Sequence, residues 1–300
     1  MAVLQHTGWG KEYSLETPAR AIFFLAALFC SSIVVLILGF MVLTGLPILE
    51  NGQWMNILTG DWNPARQSYG IWPMVLGTLW ISFTAMAISF PLSLGCASFI
   101  SILAGHRTAA ILRGCVGMMT GVPTIIYAFA GVFFMVPVIR NIGETGSGMC
   151  ILNASLVLAI LISPTMILFF MASFDNVPAA LFTAVAALGG SKVQMLVYIV
   201  IPACRKGIVT GVVLAFGRAV GDTLIALMIA GNAVQRPDSL FDSARTLTSH
   251  IALVSAADFA SMEFKSIFVC GTVLYMITTI VILIARAMEH NYTKKESSDE

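Results

Sequence analysis

The sequence predicts an all-α membrane protein with six transmembrane helices, and its composition is the first observation that supports this. Hydrophobic residues make up 58% of the 300-residue chain and charged residues only 10%. A soluble domain carries about 25% charged residues, so most of the surface of this chain needs lipid as its solvent. The net charge of +1 argues against a nucleic-acid partner.

The lengths of the apolar runs are the second observation. A helix needs about 20 mostly apolar residues to cross a bilayer. Pro91 and Pro123 fall inside the second and third of the predicted spans and are expected to kink them. The first run, 21–49, is too long for the ~7–15 apolar residues of a signal peptide and predicts a retained span. The transmembrane domain, 21–289, has predicted spans at about 21–45, 73–104, 114–139, 150–173, 207–231 and 266–288.

The placement of Lys and Arg is the third observation, and it predicts the orientation. Six spans leave the terminal segments 1–20 and 290–300 on the same side of the membrane. The segments and loops on that side contain ten basic residues, and those on the opposite side contain five. Because cytoplasmic loops are enriched in basic residues, both termini are expected to be cytoplasmic. The loop 174–206 is then inside, and the loops 46–72 and 232–265 are outside.

The inner loop, 174–206, begins with the signals of a helix. Asp175 or Asn176 is predicted to cap a helix that has Pro178 in its first turn. The alanine- and leucine-rich run up to Leu188 favours helix formation.

A tight turn and a second helix follow. Gly189 and Gly190 are expected to end the first helix, because glycine adopts the left-handed conformation of a helix C-terminus. Ser191 and Gln194 have the spacing of a capping box, and Pro202 marks the end of the second helix. The hairpin either caps the bundle along the membrane surface or docks a cytoplasmic partner.

Two charges interrupt the fifth predicted span. Arg218 and Asp222 are four residues apart and share one face of a helix. Each charge costs about 2.5–3.5 kcal/mol at the centre of a membrane helix. One interpretation is a structural ion pair that fixes the helix register. The other is a polar translocation path, in which the planar guanidinium donates hydrogen bonds to an oxyanion.

Hydroxyl groups lie close to prolines in two further spans. Thr124, Tyr127 and Thr165 are candidates to donate hydrogen bonds along the same path. The alternative is that they bond only to the backbone of their own helices, as membrane hydroxyls often do.

Four glycines of the fifth span form two small-xxx-small pairs, Gly207 with Gly211 and Gly217 with Gly221. Such pairs favour close contact between membrane helices. His250, in the outer loop 232–265, is interpreted as an ordinary loop residue.

The sequence lacks the motifs of an enzyme. Its six cysteines show no CxxC or Cys/His spacing, so no metal site or disulfide framework is expected. No G-x-x-x-x-G-K-[ST] motif is present, which argues against ATP binding by a P-loop. We therefore expect no catalytic residues, no metal and no cofactor in this chain.

Five sequence blocks, which are listed at the end of this paragraph and occur in the same order as in the family, resemble the permease subunits of phosphate-uptake ABC importers. They are closer to the PstC-type than to the PstA-type subunit. The resemblance extends over 60–289. Asp222 departs from it, because the family usually has Glu there. The blocks are "GDWNPARQSYGIWPMVLGTL" (60–79), "GVPTIIYAFAG" (121–131), "SPTMI" (163–167), "GRAVGDTLIALMIAGN" (217–232) and "RTLTSHIAL" (245–253).

The inner loop resembles the E-A-A-x3-G-x9-I-x-L-P signature of ABC importer permeases. Thr183 stands in place of the usual acid and Val185 in place of the second alanine. The resemblance implies a permease-like bundle with a cytoplasmic coupling-helix loop that inserts into an ATP-binding subunit. The residues that it assigns to this coupling are Thr183, Ala184, Gly189, Gly190, Ile199 and Pro202.

The resemblance implies a permease subunit of an ATP-driven importer for inorganic phosphate in a prokaryotic plasma (inner) membrane. The implied partners are a second, PstA-like permease subunit, cytoplasmic ATP-binding subunits and a periplasmic or extracellular phosphate-binding protein, besides membrane lipid. One alternative is a permease for molybdate, tungstate or sulfate. Another is an ion-coupled carrier or channel, which predicts several intramembrane acids and an internal repeat, whereas this chain has one such acid.

Overall fold

The computed structural model describes residues 9–49, 54–143 and 146–296, which form a bundle of α-helices with one small β-hairpin. Three segments are π-helical (Phe99–Leu103, Gly131–Met135 and Leu196–Val200) and one is a 3-10 helix (Pro64–Arg66). The other elements, in chain order, are α1 (Trp9–Leu49), α2 (Trp54–Thr59), β1 (Trp62–Asn63), β2 (Ser68–Tyr69), α3 (Trp72–Ser98), α4 (His106–Thr120), α5 (Thr124–Ala130), α6 (Val136–Gly143), α7 (Ile151–Asp175), α8 (Ala179–Ala187), α9 (Lys192–Met195), α10 (Ile201–Ala203), α11 (Arg205–Gly221), α12 (Leu224–Ile229), α13 (Leu247–Val254) and α14 (Met262–Glu296).

The predicted all-α, membrane-spanning fold is confirmed. Five helical stretches of the described chain are long and apolar enough to cross a bilayer: Arg20–Gly45, Trp72–Leu103, Thr124–Asn141, Ile151–Asp175 and Met262–Ile284. The helices Lys192–Ala203 and Arg205–Gly221, whose axes differ by 71°, add a sixth span if they cross the membrane as one unit.

Helices α3 and α7 form the centre of the bundle and run side by side in the same direction. Ser155 donates from Oγ to the carbonyl of Ile81 at 3.2 Å, and further along both helices the hydroxyls of Ser89 and Ser163 are 2.8 Å apart. Helix α7 is buried on most of its sides. This explains why its sequence is apolar all round, without the polar face of a surface helix.

The starts of α3 and α7 meet α13 and the loop before it. The N–H of Leu247 donates to Thr78 Oγ1 at 2.9 Å, and the N–H of Ile151 donates to the carbonyl of Asp242 at 3.0 Å. At the other end of α7, Cys204 donates from Sγ to the carbonyl of Ser173 at 3.2 Å. We call these two ends of the bundle the α13 end and the α8 end.

Helix α1 lies at the edge of the bundle, against α14. The rings of Phe40 and Phe268 meet edge to face with their centroids 5.6 Å apart. Most of the apolar side chains described on α1 are exposed, such as Phe23, which is the arrangement expected of a surface that faces lipid.

The third predicted span differs from its prediction. Pro123 does not kink one helix over 114–139, because α4 ends at Thr120 and α5 begins at Thr124. Proline has no N–H to donate and disfavours helical backbone in the residue before it. The crossing helix in this region is therefore Thr124–Asn141. Pro91, in contrast, is accommodated within α3.

Candidate functional site

Arg218 reaches from the last turn of α11 to the centre of the bundle. Its Nη1 donates to Thr165 Oγ1 on α7 at 3.1 Å, and both side chains are half-buried. Within the described chain this is the one hydrogen bond that the guanidinium makes. A guanidinium has five N–H donors, so most of them remain for another acceptor.

Asp222 and Arg218 form no ion pair within the described chain, contrary to one of the two interpretations of these charges. Helix α11 ends at Gly221, and Asp222 has extended backbone angles (φ −71°, ψ 129°). Its Oδ2 accepts the N–H of Ile225 at 2.9 Å, so the carboxylate caps α12. The predicted continuous helix over 207–231 is therefore wrong at this residue. The physical reason is that a short Asp side chain competes for backbone N–H groups and favours helix starts.

Helix α13 supports the break between α11 and α12. Thr248 donates from Oγ1 to the carbonyl of Asp222 at 2.8 Å. Because a backbone group freed inside a membrane protein needs an internal partner, this bond helps to stabilise the interrupted helix. The sequence predicts an outer loop over this segment and not the helix α13 or its contact with Asp222. The spacing of Thr246 and Ser249 was an available signal, since the two form a capping box at the start of α13.

The four glycines of α11 divide into a packed half and an open half. A Cβ placed on Gly211 would lie 2.9 Å from the Phe170 ring, and one on Gly207 would collide with Ser173, so this pair makes the predicted close contact with α7. A Cβ on Gly217 or Gly221 would meet no described atom within 4 Å. The open half of α11 is the half that carries Arg218.

Thr124 and Tyr127, the other two hydroxyl residues predicted for the path, form no hydrogen bond with Arg218 in the described chain. The Tyr127 hydroxyl donates to the carbonyl of Met119 at 3.1 Å and thereby bridges the break between α4 and α5. Thr124 is the first residue of α5, and its hydroxyl forms no hydrogen bond with the described residues. Of the three predicted hydroxyls, only that of Thr165 contacts the guanidinium.

The α8 end carries the predicted helix–turn–helix. Gly189 has φ +74°, as the predicted turn requires, and Ser191 and Gln194 form the predicted capping box. Leu188, at the tip of the turn, is 88% exposed. As predicted, Pro202 lies at the end of the second helix, which runs from Lys192 to Ala203. Of the residues assigned to coupling, Thr183, Ala184 and Gly189 are exposed, whereas Gly190, Ile199 and Pro202 are half-buried.

Asp175 has a different role from the predicted cap. It is the last residue of α7, and the residue that precedes α8 is Pro178. The Asp175 carboxylate accepts two hydrogen bonds from Arg113 on α4, at 2.6 and 2.9 Å. Arg113 also donates to Ser101 Oγ at 3.3 Å. A bidentate pair of this kind fixes direction as well as distance, so it ties the start of the turn-bearing loop to α4.

His250 is fully buried, which corrects its interpretation as an ordinary loop residue. Its ring meets that of Trp62 edge to face at 4.4 Å between centroids, and its Nε2 is 3.4 Å from Ser266 Oγ. Burial, with a smaller contribution from the charge of Arg245, lowers the pKa of His250 to about 4.

We predict that acid destabilises the protein through His250. Below about pH 6.5, the ordinary pKa of histidine, the His250 imidazole is protonated in the unfolded chain but stays neutral in the folded one. The free energy of unfolding therefore falls as the pH drops from about 6.5 toward 4. The expected loss between pH 6.5 and 5 is about 2 kcal/mol. The measurement is the thermal midpoint of the detergent-solubilised protein across this range. His250→Asn should flatten the dependence, and equal slopes in both proteins would contradict the prediction.

Comparison with known proteins gives the family. Residues 89–292 match the model of the binding-protein-dependent transport system inner membrane component. The phosphate transport system permease protein PstC of Pasteurella multocida is 31% identical, with 79% of each chain covered. The probable ABC transporter permease protein YqgH of Bacillus subtilis is 30% identical, with 75% of this chain and 74% of that protein covered.

Solved structures agree on the fold. The bacterial alginate ABC transporter, in complex with an alginate pentasaccharide-bound periplasmic protein, aligns with a TM-score of 0.63 at 15% identity, over 93% of this chain and 98% of that one. The MetNI methionine ABC transporter aligns with a TM-score of 0.53 at 18% identity, over 73% and 94%. The family model and the PstC relatives show that the chain belongs to the binding-protein-dependent transport system inner membrane component family, and within it to the PstC-type permeases.

Proposed function

We propose that this chain is a path-forming permease subunit of an ATP-driven importer for inorganic phosphate. The observation that carries the proposal is Arg218, a guanidinium on a membrane helix whose described contact is a neutral hydroxyl, Thr165. No ion pair joins Arg218 to Asp222 within the described chain, and the Asp222 carboxylate caps α12 instead. The PstC relatives support phosphate as the anion.

The chemistry of this site suits a tetrahedral oxyanion. The planar guanidinium donates parallel hydrogen bonds to two oxygens of a phosphate group, and the bond to Thr165 holds the side chain toward α7. A Cβ on Gly217 or Gly221, in the same half of α11, would meet no described atom within 4 Å. In this proposal Thr124 supplies a further donor from the start of α5, and Tyr127 does so when it leaves the carbonyl of Met119.

The energy for transport comes from another chain in this proposal, because the sequence has no P-loop motif. The turn at the α8 end would dock into an ATP-binding subunit, with the exposed Leu188 as its apolar anchor. The Arg113–Asp175 pair then connects this loop to α4. A second, PstA-like permease subunit would complete the path, and an external phosphate-binding protein would deliver the anion.

The proposed orientation places both termini and the α8 end in the cytoplasm of a prokaryotic cell. Single cysteines in a cysteine-free background test it. Ser191→Cys should react with an impermeant thiol reagent only after the membrane is opened, and Gln235→Cys should react in intact cells, because both positions are exposed at opposite ends of the bundle. Labelling of the Ser191→Cys variant in intact cells would contradict this orientation.

Uptake by phosphate-starved cells tests the substrate. Cells that express the chain should take up labelled phosphate, and cells that lack it should not. An excess of unlabelled phosphate should compete, whereas molybdate, tungstate and sulfate should not. Competition by one of these anions at lower concentration than phosphate would reassign the substrate.

A further inference from the structure

A cavity of about 720 Å³ opens at the α13 end of the bundle. The hairpin residues 61–64 form one wall, and residues 234–236 with Arg245 form the other. The cavity is separate from the Arg218 site, whose residues do not line it. Two arginines and one aspartate contribute the charged groups of its wall.

The two arginines have different partners. Arg236 donates from Nε to Asp61 Oδ1 at 2.7 Å and from Nη2 to the carbonyl of Thr59 at 3.1 Å, so its charge is balanced. Arg245 donates from Nε to the carbonyl of Asn232 at 3.1 Å. In the described part of the chain no carboxylate lies within ion-pair distance of Arg245.

Burial makes this unbalanced charge costly. Arg245 is half-buried, and desolvation lowers the pKa of its guanidinium. A charge in such a place requires a compensating partner. Its other N–H groups are not engaged by the described residues, so an anion in the cavity can accept hydrogen bonds from them.

Hydrogen bonds connect the segment that contains Arg245 to the interrupted membrane helix. The N–H of Ala244 donates to the carbonyl of Ala230 at 2.8 Å, and the N–H of Asn232 donates back to the carbonyl of Ala244 at 3.1 Å. Three residues after Arg245, Thr248 bonds the carbonyl of Asp222. The cavity wall and the Arg218 helix are therefore joined through one short segment.

We propose that Arg245 and this cavity form an entry site for a tetrahedral oxyanion, which the anion occupies before it reaches Arg218. The inference rests on the proposed function for the identity of the anion, phosphate, and for the direction of its movement. An unbalanced guanidinium in a concave wall raises the local concentration of anions and their rate of entry.

Charge-selective thiol labelling tests the entry site without transport. Gln235 lies at the exposed rim of the cavity. In a cysteine-free background, the Gln235→Cys variant should react roughly tenfold faster with an anionic methanethiosulfonate than with a cationic one, after correction for their intrinsic rates. Inorganic phosphate should slow the reaction. Equal rates with both reagents and no protection by phosphate would overturn the proposal.

Second-site variants assign the effect to Arg245. Arg245→Gln should abolish both the anionic preference and the protection, and Arg245→Lys should retain the preference. Arg66→Gln is the matched control, because Arg66 is exposed on the same hairpin and does not line the cavity. An unchanged preference in the Arg245→Gln variant would overturn the assignment.

The result also separates this inference from the proposed function. If the chain moves a different oxyanion, the anionic preference persists, and that oxyanion replaces phosphate as the protecting ion. If phosphate uptake is confirmed but labelling shows no preference, the entry site alone is refuted. In uptake, Arg245→Gln should lower the rate of phosphate uptake roughly tenfold at an equal amount of inserted protein.

Discussion

Arg218→Gln is expected to reduce phosphate uptake about 100-fold while the protein still inserts into the membrane. Glutamine keeps a long polar side chain that can bond to Thr165, but it removes the charge and the paired donors. Hydrogen bonds to charged groups contribute about 1.5–3 kcal/mol each, so the loss of two at the lower end of this range, about 3 kcal/mol, corresponds to roughly 100-fold. The measurement is labelled-phosphate uptake normalised to inserted protein.

Variants at neighbouring positions separate a path role from a structural one. Arg218→Lys keeps the charge without the planar geometry and should fall between the parent and Arg218→Gln. Thr165→Val removes the observed bond at similar volume and should lower uptake less than Arg218→Gln. Full uptake by the Arg218→Gln variant would contradict the proposed path.

The double variant Arg218→Gln, Asp222→Asn tests the ion-pair hypothesis directly. A structural pair would predict that removing both charges restores uptake, whereas the observed geometry predicts no restoration. Asp222→Asn alone should be mild, because asparagine still accepts the N–H of Ile225 as a helix cap. Asp222→Ala should cost about 1 kcal/mol of stability through the lost cap.

Leu188→Asp is expected to abolish uptake and to prevent an ATP-binding subunit from copurifying. The Leu188 side chain is 88% exposed at the tip of the turn, and a few well-buried side chains carry most of the binding energy of an interface. A carboxylate at this position would be desolvated on docking and left unpaired. The measurements are the amount of ATPase recovered per permease and the rate of phosphate uptake.

Leu188→Met is the matched control, because it keeps the apolar character and a similar volume. It should retain both copurification and at least about half of the uptake. Unimpaired copurification with Leu188→Asp would show that the tip is not the docking contact, and the loop would then be interpreted as a cap on the bundle.

The fold was predictable because it depends on long apolar runs. Helices α3, α7 and α14 follow the predicted spans, and the turn at Gly189 follows from glycine's access to positive φ. These features are set by local composition, so the sequence alone identifies them.

The sequence-based predictions were wrong where polar contacts between residues far apart in sequence determine the backbone conformation. The break at Asp222 depends on Thr248, which is 26 residues away in sequence. Asp175 bonds to Arg113 across 62 residues and not to the nearby α8. Helical periodicity contains no information on such partners, so it extended one helix through Asp222 and assigned the wrong role to Asp175.

The Arg218 site was only half predictable for the same reason. The charge itself is conspicuous in an apolar run, and Thr165 stands beside a proline. The packing of α7 against α11 decides which hydroxyl contacts the guanidinium. It brings Thr165 to Arg218, whereas the Tyr127 hydroxyl bonds to Met119. The buried His250 was missed because a single histidine outside the apolar runs gives no periodic signal.

ATP-dependent uptake by right-side-out membrane vesicles tests the central claim most directly. Vesicles from cells that express the chain, loaded with ATP and supplied with the external binding-protein fraction, should accumulate labelled phosphate. Vesicles that contain a non-hydrolysable ATP analogue, or that lack this chain, should not. Accumulation that proceeds without ATP and collapses when ionophores dissipate the ion gradients would contradict the account and identify an ion-coupled carrier.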